Sequence, residues 1–500
     1  MSPNKKAIIV GAGIGGLATA VRLLINNFEV DIFEKNSKIG GKVNLIEYKD
    51  FKIDSSASIF MLPNPYLEVF KYAKKDPKDY IELVELNTLY KVFNDEGDSF
   101  NIYSDFLKTT ESLEKVFNDE SSNYYKYISD SYRRYLLVEK YFLNRSFFTL
   151  NYWRYFKSLP ELIKIHPFKN CYKTIEEYIS NEYLKNLLAF QCMYIGESPL
   201  KSSNVFNLIP STTQIYGLYY IKGGMYSYVK ALEKLILELG GKIHLNSNVT
   251  NILMEKNVAI GAKINHENIF SDLIVCNSDF TYTIQNLLPR STFKNKISRR
   301  KQNNLSFSCS TFILHLFLKK KYKNLDVHNI VLNLNKKEVL LAPFIDGPLP
   351  KEYIYYIYCP SSIDTSLTPP DCECINITVR VPNLKKYKSK WNESTIVSLR
   401  NKILYDLSKI KGLEDIKENI IYESYTTPMT LKNDFNCFFG AAFGLNHNLL
   451  QTTIFRPQAK IKKLKNIYFV GDSVHPGSGI SMSLISAKLC CEKIISDFKP

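Results

Sequence analysis

The sequence lacks any apolar run long enough to cross a membrane as a helix. Its longest apolar stretch, residues 305–318, is interrupted by three serines and by His315. It therefore falls short of the ~20 residues that a membrane span needs. No apolar signal region precedes the first strand, because Lys5 and Lys6 lead directly into it. We expect a cytoplasmic protein that does not cross the bilayer.

Metal-ligand spacings are also missing. The ten cysteines are scattered, and the close pairs Cys372/Cys374 and Cys490/Cys491 lack the two-residue gap of metal and redox motifs. The H-E-x-x-H pattern of zinc proteases is absent. The sequence therefore predicts no metal centre, and we interpret the cysteines as buried thiols in a reducing compartment.

Negative charge is scarce relative to positive charge. Lys and Arg number 65 against 49 Asp and Glu, which gives a formal net charge of +16 at pH 7. A basic surface attracts nucleic acid, anionic lipid or acidic substrates. Basic residues cluster at Lys294, Lys296, Arg299, Arg300 and Lys301, at Lys319, Lys320 and Lys321, and at Lys460, Lys462, Lys463 and Lys465. None lies within a nucleic-acid motif, so we expect solvated faces or a lipid-facing rim and no nucleic-acid partner.

The length of 500 residues predicts more than one core, since single cores stop growing near ~250–300 residues. Segments 1–62, 217–285 and 431–500 alternate strands and helices around corner glycines, as α/β nucleotide-binding lobes do. We expect them to form one discontinuous cofactor domain. Segment 63–216 is aromatic with helical spacing, and 286–430 is richer in strand-like runs. These insertions are expected to form a helical, membrane-facing substrate region and a substrate-binding sheet region.

The first segment opens with a dinucleotide-binding pattern. A short apolar strand leads at once into Gly11-Ala-Gly13-Ile-Gly15-Gly16 and then into an apolar helix. Gly11 permits the tight turn, Gly13 lets the backbone approach a pyrophosphate, and Gly16 allows close packing of helix on strand. The next strand ends at Glu34, where a dinucleotide fold binds the adenosine ribose. Together these features predict a dinucleotide site.

A second glycine turn favours FAD over NAD. Gly40-Gly41-Lys42 follows shortly after Glu34 and supplies a cation able to meet phosphate, and a hairpin is expected over 43–54. This pattern resembles the FAD-binding flavoproteins of glutathione-reductase-like fold, which include amine oxidases, protoporphyrinogen oxidases and phytoene desaturases. The resemblance implies an α/β fold, with an FAD-binding Rossmann domain and an inserted substrate lobe of mixed sheet and membrane-associated helices. Relatives commonly carry Arg where this chain has Lys42.

A further glycine-rich motif lies near the C-terminus. A buried strand is expected over 467–470, followed by Gly471-Asp472 and by a glycine-rich opening into a helix. A helix N-terminus offers backbone donors and the positive end of a dipole. The resemblance implies that Asp472 binds the ribityl chain and that the backbone at 480–482 faces the pyrimidine edge of the flavin. The cofactor-binding residues implied in full are Gly11, Gly13, Gly15, Gly16, Glu34, Lys35, Gly41, Lys42, Val249, Gly471, Asp472, Gly479, Ile480 and Met482.

The middle of the chain narrows the resemblance. Segments 141–145, 187–196, 221–226, 439–445 and 455–458 are similar to the bacterial dehydrosqualene (4,4'-diapophytoene) desaturases of the phytoene-desaturase-like family. The resemblance implies stepwise, FAD-dependent desaturation of 4,4'-diapophytoene toward 4,4'-diaponeurosporene in a long apolar tunnel. Its implied partners are an apolar polyene, the inner face of the cell membrane as a peripheral surface, and oxygen or a quinone as electron acceptor. A homo-oligomer is left open.

No catalytic residue stands out, because the implied substrate offers no charge, carbonyl or hydroxyl to hold. Desaturation then depends on positioning a C–C unit against the flavin, while a hydride passes to the flavin and a proton leaves. His475 is a candidate proton acceptor or a loop organiser, and Arg456 is a candidate flavin neighbour or a salt-bridged support. Relatives carry Asp-x-Gly-Pro after the hairpin, whereas Ser56 and Ala57 replace the Gly and Pro after Asp54. This departure bears on turnover more than on the fold.

Two other functions fit parts of the same pattern. A paralogous carotenoid oxygenase acts on terminal methyl groups, and the middle segments favour the desaturase over it. A non-catalytic lipid carrier, similar to the GDP-dissociation inhibitors, would keep the fold without FAD. The glycines at 11, 13 and 16, with Glu34 and Gly471-Asp472, argue against such a carrier.

Overall fold

The computed structural model describes residues 5–56, 58–94, 99–117, 119–147, 159–289, 305–387 and 389–498. Ala57 and the predicted basic cluster at 294–301 lie outside the described residues. The strands are β1 Lys6–Val10, β2 Glu29–Phe33, β3 Leu45–Tyr48, β4 Phe51–Asp54, β5 Leu83–Glu85, β6 Thr88–Phe93, β7 Ser99–Tyr103, β8 Tyr219–Ile221, β9 Lys242–His244, β10 Val249–Glu255, β11 Val258–Ile264, β12 Glu267–Phe270, β13 Leu273–Cys276, β14 Ser310–Leu318, β15 His328–Val331, β16 Tyr355–Tyr358, β17 Glu373–Val381, β18 Ile420–Thr426 and β19 Ile467–Phe469.

In chain order the helices are α1 Ile14–Ile25, α2 Asn64–Tyr72, α3 Phe106–Val116, α4 Glu120–Val138, α5 Leu159–Lys164, α6 Cys171–Glu176, α7 Glu182–Cys192, α8 Leu208–Tyr216, α9 Tyr226–Glu238, α10 Phe280–Tyr282, α11 Glu393–Leu407, α12 Pro428–Phe435 and α13 Ile480–Phe498.

A five-stranded parallel sheet has the order β19-β13-β1-β2-β9. Its central strand β1 aligns Ile9 with Val275 of β13 on one side and with Ile32 of β2 on the other. Both faces of such a sheet are covered, so β1 and β13 are apolar almost throughout, whereas β2 carries Glu29 and Asp31. The strands come from the start, the middle and the end of the chain, which brings those three segments into one sheet.

Helix α1 and the hairpin follow the sequence predictions closely. Leu17, Ala18 and Val21 of α1 are fully buried, because the helix packs between the sheet and α13. The predicted hairpin forms as antiparallel β3 and β4, and the helix and strand predicted near the C-terminus form as α13 and β19.

A second, seven-stranded sheet has the order β18-β14-β17-β16-β15-β6-β7. Its pairs are antiparallel except β15 with β6, which is parallel. Strands β14, β16 and β17 match the strand-like runs of the sequence. Segment 63–216 was expected to be helical, but it contributes β5, β6 and β7 besides its helices. The helical prediction therefore covers only part of that segment.

Two buried tyrosines on α4 join the helices of segment 63–216 through their hydroxyls. Tyr124 donates to Gln214 at 2.8 Å and Tyr127 donates to Asn207 at 2.9 Å. These bonds connect α4 to α8 and to the turn before it. Burial of a tyrosine hydroxyl without a partner would be costly. The need to satisfy these two hydroxyls therefore constrains how α4 packs against α8.

All ten cysteines are free thiols, and Cys372 alone is partly exposed while the others are buried. Among the described residues, no group of three His, Cys, Asp or Glu side chains is arranged to hold a metal ion. None of the helices in the described part of the chain combines the length and the apolar composition that a bilayer span requires.

Candidate functional site

A cavity of about 1330 Å³ opens at the carboxyl ends of the parallel strands. Gly11 follows β1, Glu34 follows β2, Asn277 follows β13, and Gly471 comes shortly after β19; all four line the cavity. Ligands of open α/β sheets bind at this edge. A typical ligand pocket holds ~300–1,000 Å³, so this cavity has room for more than one small molecule.

The glycine turn after β1 is tightly enclosed by Asn277. Gly11 has a φ of +94°, which a residue with a β carbon rarely adopts. A β carbon at Gly13 would lie 2.6 Å from Asn277 Nδ2, and one at Gly15 would lie 2.6 Å from Asn277 Oδ1. Gly16 faces the carbonyl oxygen of Gly11 rather than the cavity. The turn therefore leaves backbone, not side chains, at the cavity wall.

Glu34 is buried at the end of β2 and organises this turn. Its Oε2 accepts the N–H of Ala12 at 2.8 Å and its Oε1 accepts the N–H of Asn36 at 3.0 Å. Each carboxylate oxygen keeps a further acceptor site, and the residue lines the cavity. Such a carboxylate can accept hydrogen bonds from ribose hydroxyls.

Lys35 and Val249 also line the cavity beside Glu34. Lys35 Nζ donates to the Asn433 carbonyl at 2.9 Å and to Asn436 Oδ1 at 3.1 Å. Burial lowers the pKa of Lys35 below its ordinary value, against the charges of Glu34 and Asp434. Val249 begins β10 and supplies an apolar surface.

The two glycine-rich motifs meet through Lys42 and Asp472. Lys42 Nζ forms an ion pair with Asp472 Oδ2 and donates to the Ala442 carbonyl at 2.9 Å. Burial opposes both charges, but the pairing raises the pKa of Lys42 and lowers that of Asp472. The Lys42 and Asp472 side chains therefore remain charged at the cavity wall. Gly41, beside Lys42, lies against Gly13, since a β carbon at Gly41 would be 3.4 Å from the Gly13 α carbon.

Asp279 adds a second carboxyl group to this region. It caps α10 by accepting the N–H of Tyr282 at 2.9 Å. Burial raises the pKa of Asp279 to about 6, and the charge of Asp472 adds to this effect. Asp279 lines the cavity but had not been singled out in the sequence.

The C-terminal motif forms a strand, a loop and a helix start around the cavity. Gly471 and Gly479 have φ values of +111° and +109°. Gly479, Ile480 and Met482 line the cavity at the start of α13, where the first N–H groups of a helix lack partners within it. This loop can therefore present backbone donors to an anionic ligand.

His475 lines the cavity and is 4% exposed. Its Nε2 donates to the Arg145 carbonyl at 3.0 Å, because a carbonyl can only accept. Burial lowers the pKa of His475 to about 4, so the ring is neutral and Nδ1 carries a lone pair. Nδ1 has no hydrogen-bond partner among the described residues.

Arg456 is 1% exposed and does not line the cavity. Its guanidinium donates to backbone carbonyls, among them those of Asp472 at 2.8 Å and Val474 at 3.1 Å. Burial lowers its pKa to about 10. Arg456 therefore holds the loop that carries Asp472 and His475, through carbonyls rather than through a salt bridge.

The rest of the cavity is an apolar chamber between the helices and the seven-stranded sheet. Side chains from the helical region line one side, namely Tyr135, Val138, Phe142, Ile165, Phe206 and Ile209. The sheet lines the other with Thr311, Ile313, Tyr356, Thr378 and Arg380. This chamber is continuous with the glycine turns.

Sequence reasoning missed several cavity residues besides Asp279. Asn277 directly follows the carboxyl end of a parallel strand, which is a signal that could have found it. His447 is buried and its Nε2 accepts the Ser478 N–H at 3.3 Å, and a β carbon at Gly477 would lie 2.7 Å from that nitrogen. Arg380 carries no sequence signal, because a single Arg in a strand is ordinary.

The departure from the family pattern after Asp54 is partly visible. Ser56 lines the cavity and its hydroxyl donates to the Lys42 carbonyl, which ties this segment to the second glycine turn. Asp54 accepts the N–H groups of Met225 and Tyr226 at 2.8 and 2.9 Å.

Of the site residues predicted from the sequence, all but Gly16 and Arg456 line this cavity.

Comparison with known proteins agrees with this geometry. Residues 14–495 match the family model of flavin-containing amine oxidoreductases. The chain is 32% identical to the 4,4'-diapophytoene desaturase (4,4'-diaponeurosporene-forming) of Staphylococcus haemolyticus over 98% of this chain and 99% of that protein. It is 31% identical to the enzyme of that name from Staphylococcus aureus strain Newman, over 99% of each.

Cyclohexylamine oxidase from Brevibacterium oxydans has the same fold, with a TM-score of 0.65 at 12% identity over all of both chains. The predictions of an FAD-dependent oxidoreductase and of a carotenoid-desaturase-like family are confirmed. The chain belongs to the flavin-containing amine oxidoreductase family and, within it, to the group that holds the staphylococcal 4,4'-diapophytoene desaturases.

Proposed function

We propose that this chain desaturates an apolar C30 polyene, converting 4,4'-diapophytoene stepwise to 4,4'-diaponeurosporene with bound FAD. The observation that carries the proposal is the continuity of one cavity from the dinucleotide-type glycine turns into an apolar chamber. The names of the full-length relatives support the substrate.

The cavity residues fit FAD at both of its ends. Glu34 has acceptor sites for ribose hydroxyls, and the side-chain-free wall at Gly13 and Gly15 suits the close approach of a pyrophosphate. The α13 N-terminus suits the pyrimidine edge of the ring, where oriented donors stabilise negative charge. Bound FAD would supply the two-electron oxidant that takes a hydride as a C–C single bond becomes double.

The protein's own groups would orient the polyene and remove a proton. A hydrocarbon offers no polar handle, so the shape of the apolar chamber sets which bond lies at the reacting position. His475 lines the cavity and its ring is neutral, and its buried Nδ1 has no hydrogen-bond partner among the described residues. It is the acceptor that we propose for the departing proton.

The division of the chain follows from the same proposal. Segments 1–62, 217–285 and 431–500 would form an FAD-binding domain of glutathione-reductase-like type. Segment 63–216 would be the membrane-facing part of the substrate region and 286–430 the sheet part. The parallel sheet, built from the first three segments, supports this division.

We further propose that the protein binds the inner face of the cell membrane peripherally. Ile163, Phe168, Ile454 and Phe455 line the cavity and are exposed large apolar residues, with Phe168 91% exposed. We call these four residues the apolar rim. Exposed apolar residues at a cavity opening suit insertion into lipid, from which an insoluble polyene could enter. The lysines at 319–321 and at 462, 463 and 465 are exposed but do not line the cavity.

Oxygen or a quinone is expected to accept the electrons from the reduced flavin.

Pigment analysis of cells that make 4,4'-diapophytoene, with and without this protein, tests the function. New polyenes whose absorbance maxima match 4,4'-diaponeurosporene support it. Unchanged 4,4'-diapophytoene beside flavin-loaded protein would contradict it and would favour the terminal-methyl oxygenase.

A further inference from the structure

Arg380 places a positive charge in the apolar chamber. It lies on β17 opposite Thr311 of β14, and Thr378, two residues earlier, lies opposite Ile313. Side chains two residues apart in a strand share one face, and all four of these residues line the cavity. Arg380 is therefore part of the sheet surface that a substrate would contact.

No described residue neutralises this charge or accepts its hydrogen bonds. Arg380 Nε is buried without a partner, and the ion pairs of the described residues do not include Arg380. The ring of Phe443 lies beside it, with its centroid 4.7 Å from the guanidinium carbon. Cys309, Tyr194 and Tyr356 also lie close enough to interact with its charge, but burial raises the pKa of each of these groups, so they stay neutral. Burial lowers the pKa of Arg380, and no carboxylate counters that effect. Arg380 is half-buried and lines the cavity, so its charge lies in a partly enclosed, largely apolar site where the protein supplies no acceptor and a ligand oxygen could supply one.

The region around Arg380 adjoins the dinucleotide end of the cavity. Phe443 follows Ala442, whose carbonyl accepts from Lys42. On the other side, Tyr356 is aligned with Thr378 and shares a hydrogen bond of 3.0 Å with Ser58. A molecule held at Arg380 would thus lie between the apolar chamber and the charged Lys42–Asp472 pair.

A hydrocarbon cannot satisfy Arg380, because it has no acceptor atom. We propose that Arg380 anchors a second ligand subsite, which takes the carbonyl or carboxylate oxygen of an otherwise apolar molecule. Guanidinium donors match such oxygens in geometry and charge, and the surrounding apolar wall selects the rest of the ligand. A quinone with an apolar tail and a long-chain carboxylate both have this chemistry. The inference rests on the proposed function only in assuming that the same cavity also takes a hydrocarbon.

Equilibrium dialysis of the flavin-loaded protein at fixed detergent concentration tests the subsite. The probes are palmitate as a carboxylate, 2-methyl-1,4-naphthoquinone as a quinone, and squalene as a hydrocarbon without oxygen. The variants are Arg380→Leu and Arg380→Lys. Arg133→Leu is the matched control, since Arg133 is a surface residue whose side chain is 78% exposed. Arg380→Gln replaces the Leu variant if the latter fails to retain flavin.

We expect Arg380→Leu to weaken binding of at least one oxygenated probe about tenfold or more, with squalene changed less than about twofold. Arg380→Lys should lie between, because Lys keeps the charge but lacks the planar fork. A response of palmitate alone identifies a carboxylate ligand, and a response of the quinone alone identifies a quinone. Unchanged binding of both oxygenated probes, or a parallel loss of squalene, overturns the subsite.

The subsite and the proposed function fail separately. Desaturation in the pigment analysis together with Arg380-independent binding would remove the subsite alone. Arg380-dependent binding by a protein that leaves 4,4'-diapophytoene unchanged would remove the function alone.

Discussion

Lys42 and Asp472 form an ion pair although 430 positions separate them in the chain. The pair joins the second glycine turn to the C-terminal motif, and both side chains are about one quarter exposed, toward the cavity. The pair therefore holds two distant parts of the sequence together at the charged end of the cavity.

Replacing Asp472 with Asn should leave Lys42 charged without its partner. We expect the free energy of unfolding to fall by about 1–3 kcal/mol and the flavin content of the purified protein to fall with it. Chemical denaturation and absorbance spectra measure the two effects. Glu47→Gln is the matched control, because Glu47 pairs with Lys38 at an exposed site and such pairs contribute about 0–1 kcal/mol. Equal effects of both variants would contradict the role assigned to the Lys42–Asp472 pair.

Gly13→Ala should weaken flavin retention, since the new β carbon would lie 2.6 Å from Asn277 Nδ2 and would force that side chain to shift. Asn277→Gly in the same chain should restore part of the binding by removing that side chain. Gly240→Ala is the control: Gly240 has a φ of +83° but no neighbour within 4 Å of an added β carbon, so it should cost about 1 kcal/mol of stability and keep flavin. Full flavin content in Gly13→Ala would show that Asn277 yields to the added methyl group without disturbing the cofactor site.

The fold was most predictable where local spacing carries the information. The glycines at 11, 13 and 16 sit between a strand and a helix in the sequence, so the turn after β1 could be predicted without tertiary knowledge. Pairing between distant strands could not be predicted. Strand β6 pairs with β15 across more than 200 residues, and the pattern within each strand does not indicate which strand it pairs with. The helical prediction for 63–216 missed β5 and β6 for that reason, since β5 pairs with β8 and β6 with β15.

The site residues divide in the same way, into those that local sequence motifs predict and those that depend on tertiary contacts. Glu34 and Asp472 were found from motifs next to them in the sequence. His447 and Arg380 were missed, because a side chain's place in the cavity wall depends on its folded surroundings rather than on neighbouring residues in the sequence. Arg456 was predicted near the flavin, yet its guanidinium is taken up by backbone carbonyls.

His475 should make stability depend on pH. Its pKa is lowered to about 4 in the folded protein against about 6.5 for an unperturbed histidine. Between these values the unfolded chain binds the proton and the folded chain does not, so stability is full above pH 6.5 and is lost as the pH falls toward 4. The loss amounts to about 3 kcal/mol at most. Denaturation at several pH values should show that the free energy of unfolding falls less steeply between pH 6.5 and 4 in His475→Phe than in the unaltered protein. An identical fall in the two proteins would contradict the neutral, buried ring.

The apolar rim should control membrane binding. Phe168→Asp together with Ile454→Asp should weaken binding to anionic liposomes about tenfold or more, since burying each apolar side chain contributes about 1.5–3 kcal/mol. Flotation at low salt measures the bound fraction. Phe270→Asp is the control, because Phe270 is 63% exposed on β12 and does not line the cavity. Equal flotation of the rim variant and the control would place the membrane contact elsewhere.

Anaerobic single turnover tests whether 4,4'-diapophytoene is oxidised at a flavin held in this cavity. Purified, flavin-loaded protein is mixed with 4,4'-diapophytoene without oxygen or quinone, and flavin bleaching and product double bonds are measured together. One new double bond should form for each flavin reduced, and Gly13→Ala, which should retain less flavin, should form fewer. Flavin that stays oxidised while it is bound, in the presence of saturating 4,4'-diapophytoene, would contradict oxidation at this site.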